Sequence, residues 1–481
     1  MSLRDSTVLL CGLILVLVGL LSVAFMRPDM DVDFVWFAIL TALLAVPLVI
    51  GCMTRRLDVL DPTSIVAVAY FLYFVYAPIR NLMAHDSYFF GKLIMPLLPL
   101  GLLYLAFGIV GLWAGYYSSR LARRVASRMP GPPESHAGAV PYAWIVALMA
   151  IVAFSAYMRV AGLSWERLLS LGQLGGVPTA IQGGAGIDQG AFSNYLYSTL
   201  DWLTSALMLL IAFARTGRKW LVVMFLALLV VYSTIGFRFR VVVLVLAPVV
   251  FYYLKTQRRP SVVKLAAASV VLVLLIGAIG LGRRSFRSGS SVESGYISVT
   301  SSSATFENDL DLYQAYLAIV DGFPRDHDYL WGSSFTYLVI QPIPRVLWPD
   351  KPDAPVRTIL NEILGSDATT AGVAYPNVGE YYANFGALGV LAGMWLFGLT
   401  MRAMYEYLRQ HQDNDWTRVT YAVALPFLVQ VVSRGYFVQI FQQAAFLLLP
   451  LGVGMWFCRR RSVSHRNGIL GERQPSPVMR P

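Results

Sequence analysis

Arg238 and Arg240 lie in the run GFRFR, between two apolar stretches with almost no room for a loop. An arginine at the centre of a membrane span costs about 2.5–3.5 kcal/mol on insertion scales, and less near an interface. Either the pair marks a tight turn and snorkels to headgroups, or its planar forks grip phosphate oxygens bidentately. Arg434, in SRGYFVQ, raises the same question beside Gly435, while Arg345 and Lys351 sit in the proline-rich run QPIPRVLWPDKP, where a solvated loop also accounts for them. Arg238, Arg240, Arg345 and Arg434 together would supply what a departing diphosphate requires, cations converging on developing charge. Glu380, in YPNVGEYYANFG, is the acidic residue placed for general-base work, the alternative being a structural partner for one of the arginines. Asp309 and Asp311 stand two apart on an expected helix and do not share a face, which argues against an acid pair. The sequence has no GxSxG, Walker or HExxH pattern.

These residues are set in an apolar chain. Of 481 residues 57% are hydrophobic and 14% charged, against about 25% charged in soluble domains. Mean hydropathy is +0.60. Runs of about 20 apolar residues, enough to cross about 30 Å of hydrocarbon, recur throughout. The reading is an all-α polytopic membrane protein of about 12 transmembrane helices. They fall at 7–26, 34–53, 63–79, 93–117, 140–158, 193–214, 220–236, 241–254, 264–282, 387–408, 417–433 and 437–457. The first run lacks a small-residue cleavage site and reads as a retained helix.

The formal charge of +11 does not point to nucleic acid, because much of the excess sits in short loops and the tail, as the positive-inside bias dictates. With both termini cytoplasmic, the inside groups are Arg55-Arg56, Arg120 to Arg128, Arg215 to Lys219, Lys255 to Lys264, Arg402, Arg409, Arg418 and Arg459 to Arg461. That parity puts residues 283–386 outside the cytoplasm as one large loop before the last three spans. The chain then divides into nine spans over 1–282, the loop, three spans over 387–458, and a disordered cytoplasmic tail over 459–481. Met129 to Gly138 reads as a flexible linker. Cys11, Cys52 and Cys458 lie in or at the end of spans, and the five histidines have no ligand spacing. Neither a disulfide framework nor a metal or other cofactor is expected.

Within the loop, Leu310, Tyr313, Tyr316, Leu317 and Val320 recur at three- and four-residue steps, an amphipathic helix lying on the membrane face or on the spans. A second short helix starts at Pro355, and Pro342, Pro344, Pro349 and Pro352 hold an extended path between them. Trp348, Tyr375, Tyr381, Tyr382 and Phe385 suit the headgroup region or stack on sugar rings.

The span count, the late outward loop, the pattern Pro-Arg-x-Leu-Trp-Pro-x-Lys-Pro at Pro344 to Pro352, and Gly379 to Gly386 leading into a span resemble the O-antigen polymerase (Wzy-type) family. These are oligosaccharide repeat-unit polymerases of bacterial polysaccharide assembly. The resemblance implies a glycosyltransferase of the bacterial inner membrane that uses neither nucleotide sugar nor metal. Its substrates would be oligosaccharides on undecaprenyl pyrophosphate, with membrane lipid around it and a chain-length-regulating co-polymerase and a flippase as partners. On that reading Glu380 is the base and Arg238, Arg240, Arg345 and Arg434 surround the diphosphate. Lys351, Trp348, Tyr381, Tyr382 and Asn384 would contact sugar or lipid.

Two rivals stand beside it. An O-antigen ligase shares the span count and late loop but has a characteristic histidine, for which His327 is the only histidine in this loop. A lipid-oligosaccharide flippase would need cations along several spans, where this chain shows little charge beyond Asp201. Sugar identity, linkage and oligomeric state are not legible.

Overall fold

The computed structural model describes residues 32–54, 58–84, 88–160, 195–214, 217–235, 238–257, 312–341, 343, 347–352, 355, 362–364 and 374–471. These residues are almost wholly helical. In chain order the helices are α1 (Val32–Met53), α2 (Pro62–Met83), α3 (Leu98–Tyr117), α4 (Ser119–Arg128), α5 (Ala139–Val160), α6 (Tyr195–Phe213) and α7 (Arg218–Ile235). There follow α8 (Arg238–Thr256), α9 (Leu312–Gly322), α10 (Ser333–Ile340), α11 (Asn377–Gln410), α12 (Asp415–Ser433) and α13 (Phe437–Gly471). Among the described residues, seven helices are long and apolar enough to cross a membrane, with two shorter apolar helices beside them. The chain is therefore a multi-pass membrane protein, in which every backbone polar group at bilayer depth must be met within the protein. The rows Trp144, Ile145, Leu148 and Ile151 on α5 and Val222, Val223 and Leu226 on α7 remain exposed, as lipid-facing surfaces do.

Every expected span within the described residues falls on a helix, while those at 7–26 and 264–282 lie outside them. The boundaries differ in informative ways. α2 continues past residue 79 to Met83 through a π-helical turn at Leu72–Tyr76. A hairpin of two short antiparallel strands, β1 (Tyr88–Phe89) and β2 (Lys92–Leu93), then leads into α3. α13 carries on through the basic run to Gly471, so residues 459–471 are helical where a disordered tail was expected. No proline interrupts that run until Pro475. The expected flexible linker at 129–138 is instead tied down. Tyr407 donates to the Pro130 carbonyl (2.9 Å) and Asn414 to that of Pro133 (2.8 Å).

α9 also departs from its expected form. Tyr313 through Val320 are all buried, polar Gln314 included, so this stretch has no solvated face and lies against the spans and not on the membrane surface. Tyr313 accepts from Asn81 at the end of α2 (2.9 Å), and Tyr316 donates to the Gly101 carbonyl of α3 (3.0 Å). Of the second loop helix, Pro355 and Glu362–Leu364 are described, with Ile363 and Leu364 buried. The Ser- and Gly-rich stretch up to Ser303 lies outside the described residues.

The tightest helix contact joins α3 to α11. A Cβ on Gly115 would lie 1.9 Å from the Trp395 carbonyl oxygen, and one on Gly398 would lie 2.0 Å from that of Leu112. Gly108 and Gly111 extend the same stripe, meeting Val390, Met394 and Leu391. Small residues let backbones approach closely where no hydrophobic effect drives helices together. Replacing Gly115 or Gly398 by valine should cost about 1–3 kcal/mol through overpacking against backbone. The melting temperature of the detergent-solubilised protein would fall accordingly, whereas Gly452→Val, with open space around it, should leave it unchanged.

Candidate functional site

The site is built on a break inside α11. Phe385 (φ −144°, ψ 19°) and Gly386 (φ +61°, ψ −147°) leave helical geometry, and the second requires a residue that tolerates positive φ. A Cβ at Gly386 would also lie 2.8 Å from the Tyr329 hydroxyl. In a straight helix Tyr381 and Gly389 would be about 12 Å apart, and Asn377 and Met394 about 25 Å. Here the Tyr381 carbonyl lies 2.2 Å from where a Gly389 Cβ would be, and Asn377 Nδ2 is 3.9 Å from Met394 Sδ. Residues 377–384 thus fold back along the span that begins at about 387, as a re-entrant arm inside the bundle.

The break frees carbonyls at the end of that arm, and the loop before α10 meets them. Leu330 N–H donates to the Ala383 carbonyl (2.9 Å) and Trp331 N–H to that of Asn384 (3.0 Å). At the other end, Asn377 accepts from the Tyr70 hydroxyl at 2.8 Å. Gly379 has no side chain to hold off Ile319 and Tyr316 of α9.

Glu380 stands in the middle of this arm, fully buried. Its Oε2 accepts from the backbone N–H of Phe437, the first residue of α13, at 2.6 Å. Helix starts carry unsatisfied N–H groups and partial positive charge, so a carboxylate is favoured there. Glu380 Oε1 is buried with no hydrogen-bond partner among the described residues. The Ser334 hydroxyl adjoins the carboxyl and accepts from Asn384 Nδ2 (2.8 Å).

Arg434 is brought to the same place by its backbone. It ends α12, and the next residue, Gly435, donates its N–H to the Tyr375 carbonyl at 2.5 Å. A Cβ on Gly435 would meet the Tyr375 ring at 2.5 Å. Tyr375 is buried, and its hydroxyl also lacks a partner among the described residues. Burial first, and then the charge of Glu380, push its phenol well above the usual range, so it remains a donor. Tyr375 entered the sequence reading only as an aromatic, and its hydroxyl has no signature in the sequence.

Arg240 goes to a different partner. Its Nε donates to Asp201 Oδ1 at 2.6 Å and its Nη2 to Oδ2 at 3.3 Å, with both side chains 3% exposed. The guanidinium lies 4.4 Å from the centroid of the Tyr197 ring. A lone carboxylate in an apolar run was the available signal for this pair, since an intramembrane charge implies a counter-charge. Amides extend from here toward α10: Gln341 donates to Gln442 (3.0 Å) and Gln442 to Ser198 (3.3 Å). Arg345 and the Arg238 side chain lie outside the described residues.

The residues expected to touch sugar divide. Tyr382 is buried against the Tyr104 ring (5.0 Å), and Asn384 is fully buried, accepting from Gly332 N–H (3.0 Å) and donating to Ser334 and to the Glu380 carbonyl. Lys351, 8% exposed, donates to the carbonyls of Gln341 (2.8 Å) and Ile343 (3.0 Å), closing the proline-rich run onto the end of α10. All three make contacts within the protein. The Tyr381 ring is half-buried over Gly393, and Trp348 is exposed. His327 is 3.8 Å from Glu362 and remote in sequence from these groups.

Removing one member of a buried ion pair strands the other charge. Asp201→Ala should cost about 3–5 kcal/mol, read as a lowered melting temperature. The double variant Asp201→Leu/Arg240→Met should recover most of that loss. Equal melting temperatures for wild type and Asp201→Ala would show that the pair carries no structural weight.

Residues 189–461, more than half of the chain, match the family model of O-antigen polysaccharide polymerase Wzy. No curated protein and no solved structure matches the chain. The matched segment contains the Arg240–Asp201 pair, the re-entrant arm with Glu380, and the Arg434–Phe437 connection that binds it. The chain belongs to the O-antigen polysaccharide polymerase Wzy family, multi-pass membrane proteins that polymerise O-antigen repeat units.

Proposed function

We propose that this chain transfers a growing glycan from undecaprenyl pyrophosphate to a hydroxyl of the next lipid-linked repeat unit, at the outer face of the plasma membrane. Glu380 takes the proton of the attacking hydroxyl. Cations at the same end of the bundle, Arg434 nearest in the chain to the carboxyl's backbone partner and Arg240 held by Asp201, stabilise charge on the departing diphosphate. Arg238 and Arg345 complete that set in the proposal.

The observation that carries the reading is Glu380 itself: a fully buried carboxyl with one oxygen fixed by the Phe437 N–H and the other unpartnered among the described residues. A glutamate serving only as a structural counter-ion would be expected to spend both oxygens on protein donors. This one is anchored through Oε2 and leaves Oε1 for a proton. Sidedness is supported by chain alternation. The end of α2 and the start of α3 meet α9, and the end of α12 and the start of α13 meet the arm and the residue leading into it. The start of α6 reaches α10 through Gln442 and binds the start of α8 through Asp201. All lie at the end assigned outside by the distribution of basic residues.

Purified protein given one lipid-linked repeat unit should produce a ladder of oligomers. Glu380→Gln should lower the rate at least about a hundredfold while the protein still folds and binds the unit. A wild-type rate in that variant removes Glu380 from the chemistry. Transfer to core lipid in place of a ladder would make the chain a ligase.

A further inference from the structure

Two buried polar atoms near the head of the re-entrant arm lack partners among the described residues: Glu380 Oε1 and the Tyr375 hydroxyl. Nine other buried side-chain atoms among the described residues also lack partners, but these two belong to residues five apart in the chain at the anchored end of the arm. Pro376 alone separates Tyr375 from α11, and the Tyr375 ring lies 3.6 Å from where a Cβ would be on Gly379, the residue before Glu380. The two do not bond to each other. One is a donor and the other an acceptor, so the group that satisfies both must itself accept and donate, and a hydroxyl does so. Both side chains are held in place, with the Ser334 hydroxyl beside the Glu380 carboxyl. The Tyr375 ring is wedged against Gly435 and its carbonyl is held by the Gly435 N–H, while Glu380 Oε2 is held by Phe437.

Resting on the reading of Glu380 as general base, we infer that Tyr375 and Glu380 hold the attacking hydroxyl of the acceptor sugar between them. The Tyr375 O–H donates to the acceptor oxygen, and the hydroxyl's own hydrogen is directed at Glu380 Oε1. One lone pair of that oxygen then faces the anomeric carbon of the donor. As the new C–O bond forms, the bond from that carbon to the diphosphate oxygen breaks, and its electron pair leaves with the diphosphate. The proton passes to Glu380 Oε1, and Tyr375 keeps its own. Because only a hydroxyl that reaches both groups is oriented, the couple determines which hydroxyl of the acceptor is extended.

Tyr375→Phe keeps the ring against Gly435 and removes only the donor. With the natural lipid-linked unit as acceptor, kcat/KM should fall by about tenfold to a hundredfold. The informative probe is the same unit with its extended hydroxyl replaced by hydrogen, used as a competitive inhibitor. Wild type and Tyr375→Phe should bind it equally, since the contact in question is gone from both. An unchanged kcat/KM in Tyr375→Phe, or a loss of affinity for the deoxy unit as large as that for the natural one, overturns the inference. Wild type alone gives a second measurement, independent of any variant's folding. It should bind the deoxy unit about tenfold more weakly than the natural unit, and equal affinities overturn the inference. A Glu380→Gln variant that polymerises at the wild-type rate defeats the general-base reading whatever Tyr375 does. An inactive Glu380→Gln alongside an unaffected Tyr375→Phe defeats only the role given to Tyr375.

Discussion

The architecture of this end of the molecule depends on one break in a helix. If α11 ran straight through Phe385 and Gly386, Glu380 would project beyond the bundle and its oxygens would meet solvent or headgroups. The positive φ at Gly386 turns residues 377–384 back against the span, and the arm becomes buried between α9, α2 and the start of α13. A break of this kind inside a membrane protein is tolerated only when the freed backbone groups are met by protein. The loop at Leu330–Gly332 meets them, with two backbone N–H groups on the carbonyls of Ala383 and Asn384 and a third on the Asn384 side chain. The loop and the break therefore require each other.

Charge in this end is arranged by pairing and by helix ends, not by solvent. Arg240 is neutralised by Asp201 and stacked on Tyr197, an arrangement whose net stabilising effect is modest but whose disruption is costly. Glu380 is held by an N–H at the start of α13. Of the four arginines expected around a departing diphosphate, two have described side chains. One arginine is fixed in a buried pair, and another, Arg434, is delivered to the arm by the Gly435–Tyr375 backbone contact. The opposite end has its own network. There Asp61 caps α2 and accepts from Tyr116 (2.6 Å), and Lys255 pairs with Asp415 (2.9 Å). The bundle is thus tied by polar contacts at both ends around a largely apolar middle.

Much of the fold was legible in the chain because a bilayer imposes a one-dimensional rule. About 20 apolar residues make a span, so spans at 63–79, 93–117, 140–158 and 387–408 could be read to within a few residues. Glu380 was legible as a charged residue at the edge of such a stretch, and Asp201 as a charge within one. The contacts that decide what they do were not. The Phe437 N–H that anchors Glu380 is a backbone group with no sequence signature, and the internal partners of Tyr382, Asn384 and Lys351 were not visible because a polar side chain in a loop shows its partners only once the loop is folded. The helical run to Gly471 was missed for a related reason, since polar composition describes solvation and not backbone conformation.

By itself, then, the sequence determined that the chain is a membrane-embedded helical protein of the Wzy type and that its charged residues cluster in the connections late in the chain. Hydropathy is a local property, summed over consecutive residues, and needs no partner to be read. Only the tertiary structure decided that 377–384 is an arm folded into the bundle, that Arg240 belongs to Asp201, and that Tyr375 and Glu380 present an unmet donor and an unmet acceptor. Each of these is a meeting of groups far apart in the chain or across a turn, and burial and hydrogen-bond geometry exist only once those groups have met.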